Sequence, residues 1–283
     1  MREELTIQLR GDYASATGED MTCDFKWESF SEKDHEMWRF LYNRIKPVVK
    51  DKVCKEHQEG MKLLGFDDEK GIPNYDRISD RLEQLSGWRL VTVPGYLPPE
   101  VFFRHLARKH FPVMTFIRKH EEVDYLKEPY IFHDVFGHVP MIANPTFANY
   151  FHAFGEGGLK AVANESTSFI DTLYWFTIEF GLINTPEGRR IYGAGITSSM
   201  GESGYALSEQ PAHIGFDLKR IMRQKYRIDE YQKQYFVIDS FEQLVNATKP
   251  DFIPIYKEVS GMTPVEIGST LPTDKIFQPG TLA

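Results

Sequence analysis

Apolar side chains recur at helical spacing along most of this chain. Ser31 and Asp34 have the spacing of an N-terminal capping box. Trp38 and Leu41 follow at helical spacing, so we expect a helix to begin at Ser31 and Pro47 to end or kink it. Further helices are predicted over residues 48–64, 76–85, 98–110, 129–138, 145–162, 166–183, 214–226 and 240–248.

Strand-like runs are short and few. They read RLVTV (89–93), VMTFI (113–117), IYGAG (191–195) and YFVI (235–238), and no βαβ alternation with a phosphate-binding loop is visible. We therefore predict a mainly α fold, with a single domain over residues 31–261 and a few short β-strands. Residues 1–30 are expected to form an irregular N-terminal arm, and residues 262–283 an extended or partly disordered tail.

Composition excludes several classes of partner. The 283 residues carry a net charge of −8, which argues against nucleic-acid binding and against a basic membrane-binding surface. No apolar run approaches the length of a membrane span, and the N-terminus has no apolar signal region. Cys23 and Cys54 could form one disulfide, but nothing else points to an oxidising compartment. We expect a cytoplasmic protein.

Two histidines in an apolar segment are candidate metal ligands. His133 and His138 are five positions apart, which corresponds to a rotation of about 140° on a straight α-helix, so they would not share a face. Gly137 and Pro140 bracket His138, however, and indicate a helix that loses its regularity and can turn the second imidazole inward. The alternative is that both are ordinary core histidines.

Glu179 strengthens the metal hypothesis. It is the only charged residue between Leu173 and Ile183, and a buried carboxylate needs a proton, a cation or a metal ion. An ion pair with an arginine is the structural alternative. Two imidazoles and one carboxylate are typical of non-heme iron(II) oxygenases, although the same donors also hold hydrolytic zinc. Spacing alone does not separate the two metals.

Several longer strings resemble one family. They are EPYIFHDVFGHVP (128–140), YWFTIEFG (174–181), YGAGITSS (192–199), VPGYLPPEVFF (93–103) and QKQYFVIDSF (232–241). Together they resemble the pterin-dependent aromatic amino acid hydroxylases, from about residue 34 to about residue 251, and most closely the short bacterial members that act on phenylalanine. The resemblance implies the catalytic fold of that family and an iron- and pterin-dependent monooxygenase.

The implied reaction converts L-phenylalanine to L-tyrosine with O2. The implied cofactors are Fe(II) and a tetrahydropterin, either tetrahydrobiopterin or a bacterial equivalent. Tryptophan or tyrosine as the substrate, a zinc-dependent hydrolase and a catalytically silent metal- or pterin-binding protein are the alternatives. No heptad pattern continues beyond Lys249, so we expect a monomer that is constitutively active.

The resemblance also assigns residues by position. The implied iron ligands and catalytic residues are His133, His138 and Glu179. The implied pterin contacts are Gly95, Leu97, Phe102, Asp134 and Tyr174. The implied substrate contacts are Arg118, Pro129, Trp175, Phe180, Gly195 and Ser198, with Glu202 as a neighbour of the site. From the pattern alone, Phe102, Trp175 and Phe180 would be core aromatics, and Asp134 a helix-start acid.

One position departs from the family. Where the family usually reads Glu-Pro-Asp before the first ligand, this chain reads Glu128-Pro129-Tyr130. A tyrosine donates or accepts a hydrogen bond but supplies no carboxylate. Groups that support a metal ligand are worth about 10–100-fold in affinity or activity. We therefore expect Tyr130→Asp to change iron affinity or the coupling of oxygen use to hydroxylation.

Overall fold

The computed structural model describes residues 11–66, 71–123 and 130–281. The α-helices in these ranges are α1 (Glu32–Val49), α2 (Lys55–Leu64), α3 (Tyr75–Ser86), α4 (Pro99–Ala107), α5 (Val139–Ile142), α6 (Pro145–Ala163), α7 (Thr167–Tyr174), α8 (Ala194–Thr197), α9 (Glu202–Tyr205), α10 (Leu218–Met222), α11 (Phe241–Thr248) and α12 (Phe252–Ser260). Two π-helices are π1 (His133–His138) and π2 (Trp175–Glu179). The strands are β1 (Arg89–Val93), β2 (His110–Met114), β3 (Leu182–Thr185), β4 (Gly188–Ile191), β5 (Ala212–Gly215), β6 (Gln234–Ile238) and β7 (Ile276–Gln278).

Helix α1 begins at the predicted capping box. The Ser31 amide donates to the Asp34 carboxylate at 2.8 Å, and the Asp34 amide donates to Ser31 Oγ at 3.3 Å. The prediction that Pro47 ends or kinks this helix was wrong about its end, because α1 continues to Val49. Ile45 and Val49 on either side are both buried, and their packing offsets the one backbone hydrogen bond that proline removes.

The strands form two sheets. β1 and β2 pair in parallel around α4, with Arg89 opposite His110 and Val93 opposite Met114. The second sheet has the order β4-β3-β6-β5-β7, in which β3 and β5 both run parallel to β6 while β4 and β7 are antiparallel edge strands. Parallel crossovers are therefore present, although the sequence showed no βαβ alternation. β7 comes from residues 262–283.

Several predicted boundaries were wrong. The predicted helix over 166–183 breaks into α7, π2 and the start of β3, and the predicted strand over 191–195 gives way to α8 after Ile191. The predicted helix over 214–226 contains the end of β5 and only the short α10. Apart from α7, which has eight residues, these pieces are four or five residues long, too short for periodicity to separate helix from strand.

Helix α6 lies at the centre of the core. Its aromatic residues Phe147, Phe151 and Phe154 are buried, and the rings of Phe151 and Phe154 meet the Tyr174 ring at the end of α7. α4 crosses it closely because Gly158 leaves room for Phe103: a Cβ at Gly158 would lie 2.2 Å from that ring. A core of this kind places π1 and π2 side by side, with the catalytic candidates between them.

Neither cysteine is in a disulfide. Cys23 and Cys54 are both free and buried, and the Cys54 thiol lies 3.7 Å from the thioether sulfur of Met141. Within the described ranges, no helix combines the length and the apolar character that crossing a bilayer requires.

Candidate metal centre and active site

The π-helical geometry of π1 explains how His133 and His138 face one point. In this segment the Val139 amide donates to the Asp134 carbonyl, five residues back. Residues five apart in a π-helix lie about one turn apart, so the two imidazoles project from the same side. Their ring centroids are 4.8 Å apart and their planes are perpendicular.

Glu179 reaches the same point from a second π-helix. In π2 the Phe180 amide donates to the Trp175 carbonyl, and Glu179 is the last residue of the segment. Its carboxylate oxygens lie 3.1 Å from His138 Nε2 and 3.6 Å from His133 Nε2. All three donor atoms lie within 4.8 Å of one another, and His138 and Glu179 are buried. The structure therefore brings together the three predicted ligands.

A hydrogen-bond chain sets the tautomer of His133. Its Nδ1 lies 2.9 Å from Ser198 Oγ, and the Ser198 hydroxyl donates to the Ala194 carbonyl at 2.8 Å. Because the hydroxyl proton is used, Ser198 accepts from Nδ1–H. Nε2 of His133 then presents its lone pair to the cluster, as metal ligation requires. Ser198, predicted as a substrate contact, thus lies against a candidate ligand.

The electrostatics keep the carboxylate ionised. Burial raises the pKa of Glu179, but His138 and His133 together outweigh it and hold that pKa well below its usual range. Burial lowers the pKa of His138 more than Glu179 raises it. Burial lowers the pKa of His133 as well, but the charge of Glu179, its hydrogen bond to His133 and the charge of Asp134 raise that pKa overall. An ionised carboxylate beside two imidazoles is the charge state that a divalent cation needs.

Asp134 is turned away from the three donor atoms. Its carboxylate is buried and accepts a hydrogen bond from the Met114 amide at 2.8 Å, which ties π1 to the end of β2. Burial raises the pKa of Asp134 to about 7, against the opposing effects of His133 and the Met114 amide. Asp134 therefore joins the metal-bearing helix to the small sheet.

The predicted pterin residues form one wall beside the metal centre. Phe102 meets Tyr174 edge to face at 5.7 Å between ring centroids, and Tyr174 lies 6.2 Å from the His138 ring. Leu97 is buried in a small cluster against which Phe102 packs. Gly95 lies beside the Tyr13 hydroxyl, which accepts a hydrogen bond from the Tyr96 amide at 2.8 Å. These residues come from the β1–α4 connection, from α4 and from α7.

The aromatic residues around Glu179 form a second wall. The rings of Trp175 and Phe180 are 4.5 Å apart, and Tyr226 stacks on Trp175 at 4.7 Å. Gly195 faces this wall: a Cβ there would lie 2.9 Å from Phe180 and 3.0 Å from the Glu179 carboxylate. Tyr226 was not identified from the sequence, because an aromatic residue after a short helix carries no distinguishing signal.

Arg118 and Tyr130 lie against each other. The Arg118 guanidinium lies over the Tyr130 ring, 4.1 Å from its centroid, and Nη1 donates to the Val123 carbonyl at 2.6 Å. Tyr130 is buried, and its ring is roughly parallel to that of Phe132. The side chain that departs from the family thus contacts the predicted substrate arginine. Pro129, the remaining predicted substrate contact, lies outside the described residues.

Glu202 lies in a separate buried cluster. It accepts hydrogen bonds from the Tyr235 hydroxyl at 2.7 Å and from the Gln232 amide at 3.4 Å. Burial raises its pKa to about 7, partly opposed by the Tyr235 hydroxyl. Glu202 therefore ties α9 to β6, and the described contacts do not join it to the three candidate ligands.

The fold and the donor set define a class: a mainly α enzyme with a buried two-histidine, one-carboxylate centre. The chain belongs to the biopterin-dependent aromatic amino acid hydroxylases, whose family model matches residues 23–257. The predicted family, fold class and type of enzyme, a monooxygenase, are thereby confirmed.

Individual relatives cover nearly the whole chain. It is 47% identical to the phenylalanine-4-hydroxylase of Ralstonia nicotianae, over 98% of this chain and 90% of the relative. It is 46% identical to that of Chromobacterium violaceum, over 92% of this chain and 88% of the relative. A crystal structure of the Chromobacterium violaceum enzyme bound to cobalt superposes with a TM-score of 0.90, covering 93% of this chain and 95% of that chain.

Proposed function

We propose that this protein is a phenylalanine 4-monooxygenase, which converts L-phenylalanine to L-tyrosine with O2 and a tetrahydropterin. The observation that carries the proposal is the convergence of His133, His138 and Glu179 within 4.8 Å, in a chain of this family. The relatives that share 46–47% of its residues carry the name phenylalanine-4-hydroxylase, which supports phenylalanine over tryptophan or tyrosine.

The donor set suits iron(II). Two neutral imidazoles and an ionised carboxylate occupy one face of a divalent ion and leave the other face to small molecules. The Ser198 hydroxyl holds His133 in the tautomer that ligation needs, so the site is organised for a metal. A related crystal structure, of the Chromobacterium violaceum phenylalanine hydroxylase, contains bound oxidised Fe(III). When bound, iron and the reduced pterin together supply the activation of O2 for insertion into the aromatic ring.

We assign the pterin to the wall formed by Phe102, Tyr174 and the Gly95–Leu97 backbone. A planar heteroaromatic needs an aromatic face and fixed donors and acceptors at its edge, and this wall offers both next to His138. Asp134 supports the arrangement by joining π1 to β2, since its carboxylate accepts from the Met114 amide.

We assign the amino acid to Arg118 and to the aromatic wall around Glu179. Arg118 offers its planar guanidinium to the substrate carboxylate, and the Tyr130 ring holds its plane. Trp175 and Phe180 surround the substrate ring and exclude water from it, while Gly195 leaves the space beside Glu179 clear. Pro129 and Ser198 complete the predicted set, and Ser198 acts through His133.

Composition, sequence pattern and the resemblance underlie three further proposals, on location, oligomeric state and domain bounds. We infer that the protein acts in the cytoplasm and as a monomer, with residues 31–261 as its catalytic domain between an N-terminal arm and a C-terminal tail. Sedimentation velocity at micromolar concentration tests the monomer directly, and a dimer would refute it.

Oxygen uptake tests the proposed reaction. Iron(II)-loaded protein with a tetrahydropterin should consume O2 when phenylalanine is added and should form tyrosine, whereas tryptophan and tyrosine should be poorer substrates. His138→Ala should abolish product formation. Activity on an ester or amide with zinc, and no amino-acid-dependent uptake with iron, would instead support a hydrolase.

A further inference from the structure

We propose that His57 is a positioning residue for the metal centre, which holds π1 in register by donating a hydrogen bond to the Phe136 carbonyl. His57 lies on α2, 76 positions before His133 in the chain, and nothing in the sequence pattern distinguishes it. The inference rests on the proposed function only in taking His133, His138 and Glu179 as the metal ligands.

The hydrogen bond lies where Pro140 interrupts the α-helical pattern of backbone hydrogen bonds. In an α-helix the Phe136 carbonyl would accept from the amide four residues on, but that residue is Pro140, which has no N–H. His57 Nε2 lies 3.0 Å from the Phe136 oxygen. A carbonyl oxygen only accepts, so Nε2 carries the hydrogen and His57 is the donor. Both His57 and Phe136 are buried, so a water molecule cannot readily take the place of the His57 donor.

Helix α2 also packs closely against π1 and the residues that follow it, around Phe136 and Pro140. His57 meets the Phe136 ring edge to face, with centroids 5.7 Å apart. Gly60, three residues along α2, faces the next part of the helix, where a Cβ would lie 2.0 Å from the Pro140 carbonyl oxygen. The two contacts bracket His138, since Phe136 and Pro140 lie two residues on either side of it.

These contacts fix the relative positions of His133 and His138 that metal binding requires. Only the π-helical hydrogen bonds bring His133 and His138 to one side, because a regular α-helix would separate their imidazoles by about 140°. Without the His57 donor, the Phe136 carbonyl loses this buried hydrogen bond, and the segment can relax toward other backbone partners. The position of His138 relative to His133 and Glu179 then changes, and metal affinity falls.

Cobalt(II) binding to the metal-free protein tests the inference without using activity. We expect His57→Leu to weaken Co(II) binding by about tenfold or more, the range in which groups behind a ligand act. His57→Gln keeps an N–H donor at similar reach and should restore affinity to within about threefold. The visible absorption of bound Co(II) should shift in His57→Leu and resemble the wild type in His57→Gln.

His213→Leu is the matched control. His213 is also buried, and its Nε2 donates to the Ala206 carbonyl at 2.8 Å, but this bond ties β5 to α9 rather than α2 to π1. Its loss should lower the melting temperature with Co(II) affinity unchanged. If the His57 and His213 variants lose Co(II) affinity equally, His57 only stabilises the fold in general, and the inference is overturned.

His138→Ala separates the inference from the proposed site. If this variant binds Co(II) as the wild type does, the proposed metal site itself is wrong. If it loses binding while His57→Leu binds normally, the site stands and the role of His57 is refuted. Should His57→Leu not fold, His57→Asn, whose shorter amide does not span the distance to the carbonyl, provides the same comparison.

Discussion

At the scale of single residues, Ser198 controls which nitrogen of His133 is available to a metal. Ser198→Ala removes the acceptor of the Nδ1 hydrogen bond, so the imidazole loses both its tautomer and its orientation. We expect metal affinity to fall by about 10–100-fold, measured by Co(II) or Fe(II) titration. Ser199→Ala is the control, because Ser199 Oγ accepts from the Glu202 amide and does not touch His133. Equal affinities in the two variants would contradict this role.

Tyr130 acts on Arg118 through the face of its ring. A buried cation–π contact is worth about 1–2 kcal/mol, which corresponds to about 5–30-fold in binding. Tyr130→Leu should therefore raise KM for the amino acid by about that factor and change kcat less, whereas Tyr130→Phe keeps the ring and should resemble the wild type. Steady-state kinetics with varied phenylalanine separates the two parameters.

The earlier expectation for Tyr130→Asp is refined by this contact. That expectation was a change in iron affinity or in the coupling of oxygen use to hydroxylation. The described contacts of the Tyr130 side chain are instead with Arg118 and Phe132. If Tyr130→Leu leaves KM unchanged but weakens metal binding, Tyr130 acts on the metal ligands rather than on Arg118.

At the scale of elements, close backbone packing holds Glu179 in place. A Cβ at Gly193 would lie 2.3 Å from the Glu179 carbonyl oxygen and 2.5 Å from the Gly181 amide nitrogen, so α8 approaches the end of π2 only through glycine. Gly193→Ala should cost about 1–3 kcal/mol in the free energy of unfolding, measured by urea denaturation, and should weaken metal binding.

Gly204 provides the comparison within the same region. The nearest atom to a Cβ at Gly204 is Lys52 Nζ at 4.0 Å, so Gly204→Ala meets no obstacle. We expect its unfolding free energy to be unchanged or slightly higher, since alanine is the better helix former. If the free energy of unfolding falls by a similar amount in both alanine variants, the close contact at Gly193 does not explain the loss.

At the scale of the whole molecule, buried carboxyl groups make stability depend on pH. Burial raises the pKa of Glu202 from 4.5 to about 7, so the folded state holds this proton more tightly than the unfolded chain. The stabilisation is complete below about pH 4.5 and is lost as the pH rises through about 7. Between about pH 5 and about pH 8 the wild type should lose about 1–3 kcal/mol relative to Glu202→Gln.

Urea denaturation of both proteins at the two pH values measures this difference. Asp134, whose pKa burial also raises to about 7, contributes to both proteins and cancels in the comparison. Parallel pH profiles for the wild type and Glu202→Gln would show that Glu202 does not titrate in this range.

Part of the candidate metal site could be predicted from the sequence, because its charged and imidazole groups are costly to bury. The sequence alone shows a lone carboxylate, Glu179, in an apolar segment and two histidines near Gly137. Helices with a clear N-terminal cap, such as α1, were predicted to begin at the correct residue. The pterin and substrate residues came only from the resemblance, since Phe102 and Trp175 look like core aromatics by pattern. Short strands such as β3 and β5 were missed, because four residues carry too little periodicity.

By itself the sequence determined the family and the mainly α class and indicated the three candidate donor side chains, because these depend on residue type and order. Tertiary structure alone decided that two π-helices bring the donors together, that Ser198 orients His133 and that His57 supports π1. Those features arise from contacts between residues distant in the chain, where packing and backbone hydrogen bonding select one local geometry from several that the sequence permits.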